Sequence, residues 1–206
     1  MEQNLECSAL ADQKSSTKNE KLVEAKNEEI CQKIEHLKPL EKHFVINIQE
    51  DSYGHTYEKI FAPCFDEILT EVEAEDGFTW EYHQIRNFSL FCSTMLNNAK
   101  NLKKITLITK TARQVRQYYI QRKELESIEK NMASMGLEIT IIFDEEIHDR
   151  EFRFNNGWVV TIGRGLDIYK KPIEEVGSMK KFKPEMWPCR RTKIIGLYSP
   201  NSCNKS

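Results

Sequence analysis

The residues best suited to chemistry lie between Ile147 and Pro172, in the run IHDREFRFNNGWVVTIGRGLDIYKKP. His148 and Arg150 alternate on the lead-in to a β-rich segment, so both side chains point to one side. Asn155 follows Arg150 by five residues, and Gly163 follows Asn155 by eight. The planar guanidinium of Arg150 suits phosphate oxygens, whereas the amide of Asn155 cannot supply negative charge. The trio reads either as a phosphate-binding pocket or as a buried polar cluster. Asp149 and Arg153 alternate to the other side, where pairing with neighbouring charges is expected. Arg164 and Asp167 either pair at the mouth of the same cleft or leave Asp167 to cap the next segment.

Charge is distributed unevenly around these residues. The formal net charge is only −2, yet residues 97–135 carry nine Lys/Arg against three Asp/Glu, and residues 164–193 nine against four. Residues 39–96 are acidic, with three against eleven. A near-neutral chain of this kind can still present a basic face to an anionic partner. Lys103, Lys104, Lys110 and Arg113 flank one predicted strand at both its ends, and Lys170 and Lys171 follow the His148–Gly163 run. With His148, Arg150 and Arg164, these are the candidate phosphate- or lipid-binding side chains. Each Lys or Arg near an anionic membrane contributes about 1 kcal/mol.

The elements that must hold these residues are legible from periodicity. HFVINIQ (His43–Gln49), Glu71–Ala74, KITLIT (Lys104–Thr109) and LEITIIF (Leu137–Phe143) read as strands. Helical spacing runs through Tyr57–Leu69, Tyr82–Leu96 and Gln114–Met135, where Gly136 provides the stop. Glu75-Asp76-Gly77 reads as a turn, and Asn155-Asn156-Gly157 joins a hairpin of Glu151–Phe154 and Trp158–Ile162. Strands alternating with helices predict an α/β domain with a mixed, mainly parallel sheet and helices on both faces.

Domain boundaries follow from composition. Residues 1–38 form a polar tail with one possible helix, Glu20–Leu37; residues 39–198 form the domain; residues 199–206 form a second polar tail. No apolar stretch approaches the roughly 20 residues of a membrane span, and an N-terminus with Glu2 and Glu6 is no secretory signal. A soluble, cytoplasmic chain is therefore expected. The six cysteines include no C-x-x-C pair, so no metal site is expected; Cys64 and Cys92 read as core residues.

The spacing of His148, Arg150 and Asn155, with Gly163 beyond, resembles the phospholipase D signature H-x-K-x4-D with its glycine turn, here written H-x-R-x4-N. The longer run from His148 to Pro172 resembles the phospholipase D-like domain at the C-terminus of MIT-containing abscission proteins. Tyr57-Glu58, Phe61, Glu75-Asp76, Phe78, His83-Gln84, Asn87-Phe88 and Phe91-Cys92 fit the same family, while Gly77 departs from it. The resemblance implies a phospholipase D-like fold, a homodimer, and attachment to phosphoinositide-rich membranes at the midbody or on endosomes. In the catalytic superfamily the histidine attacks phosphorus and the lysine steadies the phosphoryl charge. One histidine and no motif carboxylate leave His148, Arg150 and Asn155 a vestigial set, with no catalytic residue and no cofactor expected. A phosphodiesterase or nuclease built on a homodimer is the rival reading, and a nucleic-acid binder the third. Residues 1–38 are too few for a three-helix MIT bundle, so the direct ESCRT-III contact of the family is not expected.

Overall fold

The computed structural model describes residues 42–170 and 183–200. The expected tail at 1–38, residues 201–206 of the expected tail at 199–206, the helix at Glu20–Leu37, and Lys171 with the lysines at 180 and 181 lie outside those residues.

Seven strands form one sheet: β1 (Lys42–Ile48), β2 (Glu71–Asp76), β3 (Lys104–Thr109), β4 (Glu138–Phe143), β5 (Arg150–Phe154), β6 (Trp158–Ile162) and β7 (Thr192–Tyr198), in the order β1-β7-β6-β5-β2-β3-β4. Three helices connect them: α1 (Tyr57–Phe61), α2 (Tyr82–Asn98) and α3 (Val115–Ser134). Only β2–β3 and β3–β4 are parallel; the other four neighbouring pairs run antiparallel. The expectation of a mainly parallel sheet is thus corrected. Two helical crossovers build the parallel corner, and the hairpin β5–β6 with β7 and β1 extends it antiparallel. β7 was not foreseen at all, because Gly196 interrupts its apolar run. The missing side chain there is a packing requirement: a Cβ at Gly196 would lie 2.1 Å from the Phe44 ring.

The helices expected on both faces are found, among the described residues, on one. In-register residues share a face, and Val72, Ile105 and Ile139 align with Phe154 across β2–β5. Among the described residues all three helices pack on that one face. Phe61 of α1, Phe91 of α2 and Phe152 of β5 form a ring triad with centroids 5.3–5.6 Å apart. Burying each such ring contributes about 1.5–3 kcal/mol. On α2, Ile85, Phe88, Phe91, Cys92 and Met95 are buried at helical spacing; on α3, Leu125, Ile128 and Met132 are. Val115 and Met135, the first and last apolar residues of the expected helix Gln114–Met135, are exposed. α1 is shorter than its periodicity suggested: Pro63 lacks an N–H donor, and the chain passes into a 3-10 turn at Ala62–Cys64, leaving Ile68 exposed. Cys64 and Cys92 are buried core thiols, and burial pushes the Cys64 thiol up to about 12. No helix among the described residues is long and apolar enough to cross a membrane.

Candidate functional site

Register gathers the chemistry at one end of the sheet. Asp76 closes β2 and faces Arg150 at the start of β5, while Ile162 at the end of β6 faces Ile194 of β7 and Thr192 faces Ile48 of β1. This is also the carboxyl end of the parallel strands β2, β3 and β4, where open α/β sheets bind ligands. The helix-facing side of that end holds Asp76, 3 % exposed. Its Oδ2 accepts from Leu166 N at 2.8 Å and its Oδ1 from Phe78 N at 3.2 Å. Arg150 Nε lies 4.0 Å from Oδ1. Burial raises the Asp76 carboxyl above the ordinary carboxylate range, against the two backbone donors and the Arg150 charge.

Gly165 makes this arrangement possible. Its φ is +58°, and a Cβ there would lie 2.1 Å from Asp76 Oδ2. A glycine lets the Gly163–Leu166 segment close over the carboxylate. Leu166 O in turn accepts from Tyr57 Oη and from Asn87 Nδ2, tying the segment to α1 and α2.

Beside it opens a cleft of about 700 Å³ lined by Asn47, Ile48, Gln49, Arg150, Gly163, Arg164, Arg191, Thr192 and Lys193. Arg150 is fixed there: one guanidinium nitrogen donates to Gly163 O at 2.9 Å, and the guanidinium carbon Cζ lies 4.5 Å from the Phe78 ring centre. Arg164 Nε donates to Arg191 O at 3.3 Å. Arg164, Arg191 and Lys193 form no ion pair among the described residues, and no carboxylate lines the cleft. Thr192 Oγ1 is buried in the wall without a hydrogen-bond partner. Glu50 stands nearby, but its carboxylate accepts from Lys170 and from Arg191 N, and these hold its pKa low. The cleft is a cationic site, which suits a multiply charged anion.

The proposed trio does not converge. His148 is exposed ahead of β5 and does not line the cleft. Asn155 sits at the far end of β5, where its Oδ1 accepts from Thr70 N and Glu71 N at 3.0 and 3.1 Å and its Nδ2 donates to Thr70 Oγ1 at 2.7 Å. It is a latch between the β5–β6 turn and the start of β2. Asp167 does not pair with Arg164; it accepts from Arg190 at 2.8 Å and lies 3.5 Å from His83. Lys103 and Lys104 lie at the Asn155 end, Lys104 3.5 Å from Glu138, while Lys110 and Arg113 lie beyond the opposite end of β3. Lys170 is engaged by Glu50 and Asp51. Of the predicted cations among the described residues, Arg150 and Arg164 alone line the cleft. Arg191, Lys193 and Asp76 are not among the residues expected from the sequence: Asp76 reads there as part of a turn, and Arg191 and Lys193 sit just before and within β7. Among the described residues no His/Cys/Asp/Glu cluster is arranged to hold a metal.

Comparison with known proteins matches residues 54–197 to the family described as the phospholipase D-like domain at the C-terminus of MIT. Mouse MIT domain-containing protein 1 is 36 % identical over 152 residues, which cover 74 % of this chain and 60 % of that protein's length. The chain therefore spans less than two-thirds of that relative. Polyphosphate kinase from Porphyromonas gingivalis superposes with a TM-score of 0.46 at 10 % identity, over 77 % of this chain and 23 % of the kinase.

Proposed function

The chain belongs to the family of phospholipase D-like domains at the C-terminus of MIT proteins, and from that premise we propose that it binds acidic phospholipid surfaces, phosphoinositides above all, without turning them over. The observation that carries this reading is the cleft: among the described residues Arg164, Arg191 and Lys193 stand without carboxylate partners beside a fixed Arg150. A phosphorylated headgroup offers several oxygens in reach of several guanidinium and ammonium donors, and such charge-assisted bonds are the strong ones. Non-catalytic binding is favoured because His148 is not among the residues that line the cleft, and no other described histidine lines it. The proposal extends to a homodimer, to peripheral attachment at midbody or endosomal membranes, and to the ESCRT-III-dependent remodelling of late cytokinesis.

Sedimentation with phosphatidylcholine vesicles, with and without a phosphoinositide, tests the reading. Pelleting that requires the phosphoinositide and is lost in R164E/R191E is expected. Equal pelleting on neutral lipid overturns it, as does turnover of a phosphodiester that disappears in H148A.

A further inference from the structure

Next to the cleft, the loop from β2 to α2 carries an aromatic ring at every second position: Phe78, Trp80 and Tyr82. Phe78 is 41 % and Tyr82 67 % exposed, and Trp80 is half-buried. Large rings left in water at a loop tip cost free energy that a core position would recover.

The loop is nonetheless tightly built. Phe78 N donates to Asp76 Oδ1, Thr79 N to Thr109 Oγ1 at 3.3 Å, and Thr79 Oγ1 to Asp76 O at 3.3 Å. Gln84 Oε1 accepts from Trp80 N and Glu81 N at 3.3 and 3.0 Å. The carbonyls of Thr79 and Trp80 accept from the side-chain amides of Gln121 and Gln117 on α3. With these four amides and three carbonyls bonded internally, the tip leaves water at a smaller cost than an open loop would.

Two features connect the loop to the cationic cleft. Arg150, which lines the cleft, covers one face of the Phe78 ring at 4.5 Å, and Asp76 holds both Arg150 and the Phe78 amide. We propose that the Phe78-Trp80-Tyr82 loop is a wedge that enters the interfacial zone of a bilayer while the adjoining cleft holds an acidic headgroup of the same bilayer. The proposal rests on the headgroup reading of the cleft and adds to it an apolar contact that no charge supplies. Amphipathic rings settle at the headgroup level of membranes, and basic plus apolar contacts together give binding that either alone does not. A single-stranded nucleic acid would instead stack its bases on ring faces. Here Arg150 occupies one Phe78 face, and Trp80 meets Phe78 tilted by 59° at 5.0 Å, so what the loop offers outward is better suited to insertion than to stacking.

The full chain is mixed with phosphatidylcholine/phosphatidylinositol bisphosphate vesicles whose phosphatidylcholine chains are brominated, and its tryptophan emission is followed. Trp158 and Trp187 are 7 % and 5 % exposed, so quenching should report Trp80 and vanish in W80F. W80S/Y82S, which leaves the Phe78 ring on Arg150, should bind these vesicles on the order of tenfold more weakly or worse, the loss expected from two unburied rings. It should keep native affinity for soluble inositol trisphosphate, whereas R164E/R191E should lose both. Native-like vesicle binding by W80S/Y82S, or soluble-headgroup binding without Trp80 quenching on vesicles, overturns the wedge and leaves the cleft reading standing. Quenching with no soluble-headgroup binding overturns the cleft reading and keeps the wedge. Trp80 quenched by single-stranded DNA but not by vesicles overturns both.

Discussion

Arg150 and Arg153 stand three residues apart on β5 and face opposite sides of the sheet. Arg153, on the face that no described helix covers, is enclosed by Glu73 at 2.8 Å, Glu75 at 3.0 Å and Glu151 at 2.7 Å. Arg150, on the helix side, meets one buried carboxylate and a carbonyl, and opens onto Arg164, Arg191 and Lys193. The same contrast separates the two ends of the sheet. At the Asn155 end, the amide latch and the Lys104–Glu138 pair use up local polarity; at the Asp76 end, three cations have no ion-pair partner among the described residues. Whether a basic residue is structural or available to an anion is decided by its neighbours across the strands, which charge counting along the chain does not reveal.

The strongest way to break this contrast is to remove the glycine that lets the cleft segment close. Gly165→Ala places a methyl 2.1 Å from Asp76 Oδ2 at a φ of +58°. Backbone strain and overpacking together should cost about 3 kcal/mol or more. A large drop in the urea midpoint, with a loss of vesicle binding beyond what unfolding explains, is the expected outcome. A native-like midpoint would mean that the segment does not pack on Asp76 as described.

The contrast is sharpened by neutralising each side. Replacing Arg164, Arg191 and Lys193 by Gln should weaken binding to phosphoinositide vesicles by roughly a hundredfold, at about 1 kcal/mol per charge, with the urea midpoint unmoved. Arg153→Gln should do the reverse: affinity unchanged, and stability reduced by at most about 1 kcal/mol for an exposed ion network. Equal loss of affinity in both variants would show that bulk charge, rather than the cleft, drives association.

Local periodicity made much of this fold legible. The stripe Ile85-Phe88-Phe91-Cys92-Met95, the strands KITLIT and EITIIF, and the Asn-Gly hairpin each carry their structure in a short window, and each is found. β7 does not, because its neighbours are the first strand of the domain and β6, and Gly196 is explained only by the Phe44 ring it receives. For the site, Arg150 and Arg164 were legible from residue type and spacing. Asn155 misled for a simple geometric reason: five residues of strand at roughly 3.3 Å each carry it to the other end of the sheet from Arg150. Asp76 was hidden in an acidic turn signal, and only its alignment with Arg150 across β2 and β5 gives it a role.

Asn155 supplies the next prediction on the paired side of the comparison. Asn155→Ala removes the acceptor for Thr70 N and Glu71 N and the donor to Thr70 Oγ1. These groups lie near solvent, so water compensates in part and the cost should be about 1–2 kcal/mol. Vesicle affinity should be native, whereas a member of the binding site would lose it.

The smallest effect concerns the pH dependence that Asp76 brings to the other end. Its carboxyl is raised in the fold, chiefly by burial, so the native state holds that proton more tightly than the unfolded chain does. The contribution is therefore fully present below the ordinary carboxylate range and is lost as pH rises through the raised value. Asp76→Asn has no proton to exchange there. Comparing urea midpoints of the two proteins from acid towards neutral pH should show the native protein losing ground to the variant as pH increases. A difference that stays flat, or that runs the other way because the Arg150 charge outweighs burial, would make Asp76 an ordinary ion-pair partner. The cleft end would then be held, like the Asn155 end, by satisfied polarity alone.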